Sequence, residues 1–295
     1  MKPNMKIFDS MKNLKKMNRI SSVLLLLTMV FVLASCAKTN DGEMSELNNL
    51  KEEIWCGSEG SRIYGQMYLP GNHSGKLPTV ILSHSSSLTH AAMAGYADLL
   101  ALHGYASYCF DFRGGSKESL SEGNVDDMTL FTEIEDLKTV MKTISALDYV
   151  DKSRIYLMGS SLGGVVSALV AEEMPSSVSG LILFYPAFNI SSLVNGFSGF
   201  PGMETAFTQS LKDYDIMEHI GNYPGPVLII QGTKDFIVPP SVAEEASVKY
   251  KNAELHLIEG ANHGFNKANL GTFGSFVSAE YDDIVMPLVY DWLEK

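Results

Sequence analysis

Ile155-Tyr156-Leu157-Met158-Gly159-Ser160-Ser161-Leu162-Gly163-Gly164 is the stretch on which the reading of this chain turns. A short apolar run gives a strand, small residues bracket a serine, and the apolar stretch Leu162–Glu173 continues as a helix. Strand, sharp turn and helix around G-x-S-x-G lift the Ser161 hydroxyl clear of a sheet edge. The helix N-terminus beneath it offers unpaired N–H groups and a positive dipole end to a developing oxyanion. The bland alternative is a glycine-rich turn that only packs strand against helix. The pattern alone is weak, and its flanking elements give it weight.

Similar apolar runs lie on both sides: Thr79–Ser83, Ser107–Phe112, Leu181–Tyr185, Val227–Gln231 and Glu254–Ile258. Without polar alternation they suit strands covered on both faces. Ile54–Cys56 and Ile63–Leu69 flank Gly57–Gly60 and read as a hairpin. Helical spacing is expected over Ala91–His103, Phe131–Leu147, Ser241–Lys249 and Ser275–Leu293. The alternation predicts an α/β fold, a mostly parallel eight-stranded sheet with helices on both faces. Between Pro186 and Pro226 the interval is too long for a plain crossover, so a small cap insertion over one sheet end is expected.

A nucleophilic serine needs a base, and the base needs an orienting acid. Asp235 follows the run Val227–Gln231, and His263 follows Glu254–Ile258 in a glycine-flanked loop. Ser161, Asp235 and His263 thus come in the chain order that this elbow requires, each just past a strand. The loop His84-Ser85-Ser86 after Thr79–Ser83 should supply the second oxyanion donor, so the backbone N–H groups of Ser86 and Leu162 are the candidates. His73, His103, His219 and His256 read as surface or packing residues. Asp111 and Arg113 read as an ion pair with each other. No metal-ligand spacing and no phosphate- or dinucleotide-binding loop is visible, so neither a metal nor another cofactor is expected.

The chain has 295 residues and a formal charge of −12, from 22 Lys+Arg against 34 Asp+Glu. That sign argues against a nucleic-acid partner, whose phosphates call for basic residues. Three cysteines cannot build a disulfide framework or a four-cysteine zinc site. Cys109, inside an apolar run, reads as an inert core thiol rather than half of a disulfide with Cys56.

Residues 1–35 read as a signal peptide. Lys12, Lys15, Lys16 and Arg19 precede the apolar run Val23–Ala34, which is shorter than the roughly 20 residues needed to span a bilayer. Leu33-Ala34-Ser35-Cys36 is similar to a bacterial lipobox, which implies lipidation of Cys36. Ala37 rather than an aspartate follows, which by the same resemblance implies outer-membrane residence, on the periplasmic or cell-surface face. Residues 36–50 then form a polar tether and 51–295 the folded domain, with the cap at about 186–226. Loss of residues 1–35 removes Lys2, Lys6, Lys12, Lys15, Lys16 and Arg19 against Asp9 alone, leaving a more acidic body. Anionic lipid would repel it, so acyl chains must supply the membrane attachment.

From about Trp55 to Trp292 the chain resembles the α/β-hydrolase superfamily. Within it, the resemblance is to bacterial cinnamoyl/feruloyl esterases and to serine aminopeptidase and prolyl-oligopeptidase-like hydrolases. Met128-Thr129-Leu130-Phe131-Thr132-Glu133-Ile134-Glu135-Asp136, Gly163-Gly164-Val165-Val166 and Leu257-Ile258-Glu259-Gly260-Ala261-Asn262-His263 carry it. It implies a serine hydrolase of small-molecule carboxylic esters, or alternatively a peptidase of short peptides. A binding protein on a dead scaffold would lack a triad residue, and none is missing. Two positions depart from the family pattern: His84-Ser85-Ser86 stands where His-Gly-Phe is usual, and Gly159-Ser160-Ser161-Leu162-Gly163 where Gly-His-Ser-Gln-Gly is frequent. Backbone donors survive both changes, whereas the walls of the acyl pocket do not.

Overall fold

A computed structural model describes residues 49–196, 205–267 and 279–295. Its sheet has eight strands: β1 (Leu50–Cys56), β2 (Ile63–Leu69), β3 (Leu77–Ser83), β4 (Ala106–Phe110), β5 (Val150–Ser160), β6 (Gly180–Phe184), β7 (Val227–Gly232) and β8 (Ala253–Ile258). They lie in the order β1-β2-β4-β3-β5-β6-β7-β8. β1 and β2 form the expected antiparallel hairpin, β2 pairs antiparallel with β4, and every later pairing is parallel.

Alternate residues of the central strands feed two cores. Ile81, Leu157, Leu183 and Ile229 face the helices Leu130–Ser145, Leu162–Glu173 and Pro240–Lys249. Leu82, Met158, Ile182 and Ile230 face Ala94–Leu102 and Asp282–Leu293. Burial on both faces is why these strands read as unbroken apolar runs.

The boundaries differ from the sequence expectation where polar residues join an element. β5 starts five residues before Ile155, through half-buried Asp151 and the exposed Lys152–Arg154, because Val150 pairs with Leu77 beyond a register shift. The helix expected from Ala91 starts at Ala94, after a 3-10 turn over His90–Ala92. The expected cap is not a separate layer in its described part. Phe188, Leu211, Ile216, Ile220 and Tyr223 join the same core as helix Leu162–Glu173, and Ser210 Oγ accepts the N–H of Leu130 at 3.2 Å.

Helix Leu130–Ser145 opens with a capping box. Thr129 accepts the N–H of Thr132 at 3.0 Å and donates its own N–H to Thr132 Oγ1 at 2.9 Å. Two carboxylates on its inner face are buried. Asp136 takes the N–H and Nε of Arg113, yet burial, opposed by Arg113, holds its carboxyl up at about 6. Glu133 Oε2 has no hydrogen-bond partner among the described residues, and burial followed by the Asp136 charge pushes Glu133 well above its ordinary value. A raised carboxyl binds a proton in the folded state at pH values where the unfolded chain has released it. Stability therefore falls as pH rises above about 4.3 toward the folded-state values. Glu133→Gln should flatten that dependence and raise Tm at pH 8; an unchanged slope of Tm between pH 5 and 8 would contradict it.

Candidate active site

The elbow is built by what its neighbours lack. A Cβ on Gly159 would stand 2.2 Å from the Gly163 carbonyl oxygen, and one on Gly163 would stand 2.3 Å from that of Ser83. Strand and helix can cross this closely only without side chains there. Between them Ser161 adopts φ 51°, ψ −114°, a conformation that non-glycine residues rarely hold. Its N–H donates to Phe184 O at 2.9 Å and its carbonyl accepts from Ala187 at 3.1 Å, so the end of β6 pins the turn. The first N–H groups of helix Leu162–Glu173 have no intrahelical acceptor and lie next to the serine.

Asp235 and His263 arrive from the next parts of the same edge. Both follow the carboxyl ends of neighbouring strands, β7 and β8, and His263 Nδ1 meets Asp235 Oδ2 at 2.7 Å. Both side chains are nearly excluded from water. The carboxylate is held on all sides: Oδ1 accepts the N–H groups of Ile237 and Val238, each at 2.9 Å, and Oδ2 accepts Gln231 Nε2 at 2.9 Å. A carboxylate so saturated accepts from imidazole Nδ1–H and leaves Nε2 as the ring's free base. Tyr185, with φ 37°, lays its ring 4.6 Å from that of His263 and 4.8 Å from Phe265. Ser161 Oγ makes no hydrogen bond among the described residues, so acid and base are joined while the serine is unengaged. Such contacts commonly tighten only when substrate is bound.

The loop after β3 lies against this edge. Buried His84 bonds the Ser85 carbonyl through Nδ1 at 2.8 Å and accepts the Phe112 N–H through Nε2 at 3.2 Å. Burial pushes its pKa down, so it is a neutral strut. Leu88 N–H closes the turn on Ser85 O at 3.2 Å. Ser86 lies exposed in that turn, and its N–H donates to no other group among the described residues.

Asp111 and Arg113 do not pair with each other, which corrects the sequence reading. Asp111 takes the backbone N–H and Nδ1 of His90, at 2.6 and 2.7 Å, and the N–H of Leu120, while Arg113 takes Asp136. Both lie past the end of β4 at Phe110, in irregular chain where strand alternation no longer sets their direction, and each meets a partner from a different segment. Tyr185 and the His90–Asp111 pair are the residues near this edge that the sequence analysis missed; Tyr185 ends the run Leu181–Tyr185, where only its φ marks it out. His73 bonds the Pro70 carbonyl, His103 and His219 stack on Tyr290 and Tyr214, and His256 pairs with Glu254. Cys56 and Cys109 are free and buried. Among the described residues no cluster of three His, Cys, Asp or Glu side chains could hold a metal, and no helix is long and apolar enough to cross a membrane. Cys36 and the segment around it lie outside the described residues.

A family model described as serine aminopeptidase, S33, matches residues 76–214. The chain is 27% identical over 231 residues to the acylamino-acid-releasing enzyme of Rattus norvegicus, covering 69% of this chain and 31% of that one. It is 28% identical over 190 residues to an uncharacterized protein of Mycobacterium tuberculosis, covering 63% and 62%. The chain thus spans less than two thirds of either relative. Among solved structures it is similar to Est1E from Butyrivibrio proteoclasticus with ferulic acid bound, at TM-score 0.68 and 21% identity, covering 82% of this chain and 98% of that one. It is also similar to a monoacylglycerol lipase of Paleococcus ferrophilus, at TM-score 0.59 and 17% identity, covering 78% and 98%. By strand order, elbow and these likenesses, the chain has the α/β-hydrolase fold and is similar to esterase-like and serine aminopeptidase-like proteins.

Proposed function

We propose that this chain is a serine hydrolase of carboxylic esters, working through an acyl-enzyme. The observation that carries the reading is the buried Asp235–His263 pair, set on the same sheet edge as the strained Ser161. Ser161 Oγ attacks the ester carbonyl carbon while His263 Nε2 takes its proton, and Asp235 holds the imidazole and stabilises its cationic form. The carbonyl oxygen becomes an oxyanion facing the N–H groups of Ser86 and Leu162. Collapse breaks the carbon–oxygen bond, and His263 passes its proton to the departing alcohol. Water, deprotonated by His263, then attacks the acyl-serine and releases the acid. Each proton and electron pair in this cycle is carried by side chains, ester and water.

The likeness to Est1E with ferulic acid bound and to the Paleococcus monoacylglycerol lipase favours an ester. The S33 description and the acylamino-acid-releasing relatives favour a second reading, a peptidase of short peptides. Parallel assay of p-nitrophenyl acetate and an aminoacyl p-nitroanilide decides between them. Faster ester turnover at matched concentration is expected, and faster anilide turnover would reverse the order.

The protein is further proposed to be an exported lipoprotein held at the membrane by acyl chains on Cys36. Stable attachment needs more than one chain, since each buried CH₂ contributes only about 0.8 kcal/mol. Cys36→Ser should leave specific activity intact and move the protein from the membrane to the soluble fraction. Membrane fractionation of both parent and variant would refute the anchor.

A further inference from the structure

β3 and β5 are neighbours, and their ladder ends at the pair Ser83–Gly159. Beyond it the two chains diverge, one into the loop that carries Ser86 and the other into the elbow that carries Ser161. One contact bridges the gap. Ser85 Oγ and Ser160 Oγ lie 2.9 Å apart, both buried, and Ser85 Oγ also reaches Ser160 O at 3.3 Å. Each serine stands one residue before its functional neighbour, Ser85 before the oxyanion donor and Ser160 before the nucleophile.

We propose that Ser85 and Ser160 form a positioning pair that sets the spacing of the oxyanion donors Ser86 and Leu162 about Ser161; this rests on the serine-hydrolase reading above. A buried hydroxyl without a partner is costly, so two that satisfy each other hold their backbones at a fixed separation. The backbone ladder stops one step too early to do this. The Ser160 hydroxyl also donates to Met93 Sδ at 3.5 Å, which fixes its orientation on the elbow side. The bridge therefore links the oxyanion loop to the nucleophile elbow through one buried pair of hydroxyls. Neither serine touches the reacting atoms. Their effect runs through donor placement, where errors of about half an ångström already matter.

The test is the rate constant for labelling of Ser161 by a fluorophosphonate, which needs nucleophile, base and oxyanion hole but no particular acyl group. Ser85→Ala, Ser160→Ala and the double variant are compared with the parent, with kcat and KM on p-nitrophenyl acetate and Tm read alongside. Removal of a whole oxyanion donor costs on the order of 10²–10³ in kcat, so its misplacement should cost about tenfold in labelling and in kcat, with KM unchanged. Because one bond is broken either way, the double variant should label no more slowly than the slower single. Labelling of both single variants at the parent rate would overturn the pair, as would effects that multiply in the double variant. Unfolding of either variant would make it a structural brace and overturn it too. If the parent itself does not label, the serine-hydrolase reading falls first and this inference with it.

Discussion

Ser161→Ala is expected to lower kcat on p-nitrophenyl acetate by about 10⁴- to 10⁶-fold, the range for removal of a nucleophile from a triad. The fold should survive. Ser161 Oγ makes no hydrogen bond among the described residues, and its backbone bonds to Phe184 and Ala187 need no side chain. Alanine must still adopt φ 51°, but serine already bears that strain. Tm should therefore stay within a few degrees of the parent while turnover vanishes. Residual activity within tenfold of the parent would assign the chemistry to another group.

Asp235→Asn should cost about 10⁴-fold in kcat, the scale for this change in serine proteases. The mechanism is a tautomer error. Oδ1 is claimed by the N–H groups of Ile237 and Val238, so the new amide nitrogen must take the other position. There it faces His263 Nδ1 and Gln231 Nε2, both of which the carboxylate accepts from. His263 is driven to accept at Nδ1 and to carry its proton on Nε2, where it can no longer take one from Ser161. KM should change little, since the residue touches no substrate. A loss below tenfold would mean that His263 is oriented by something else.

Much of this was legible in the sequence, for a physical reason. Strand-end residues are marked by local pattern: Ser161, Asp235 and His263 each follow an apolar run, and parallel strands deliver their carboxyl ends to one edge. What is decided between distant segments was not legible. Arg113 and Asp111 sit two apart and were read as partners, but each turned to a different residue across the fold. Ser85 and Ser160 stood out singly as departures from the family pattern, and only the end of the β3–β5 ladder brings their hydroxyls together. Glu133 reads as one more acidic residue on a helix, and only its burial beside the Asp136 charge raises its titration. The cap was expected from its length, and its apolar residues could not be assigned to the core before their contacts were seen.

The central claim is that Ser161 is a nucleophile activated by His263 and Asp235. Its most direct test is to treat the folded protein with a fluorophosphonate at neutral pH and map the adduct by mass spectrometry. The account predicts one phosphonylated residue, Ser161, with labelling abolished in Ser161→Ala and slowed at least a thousandfold in His263→Ala. An adduct on another residue, or a parent protein that stays unlabelled, would contradict it.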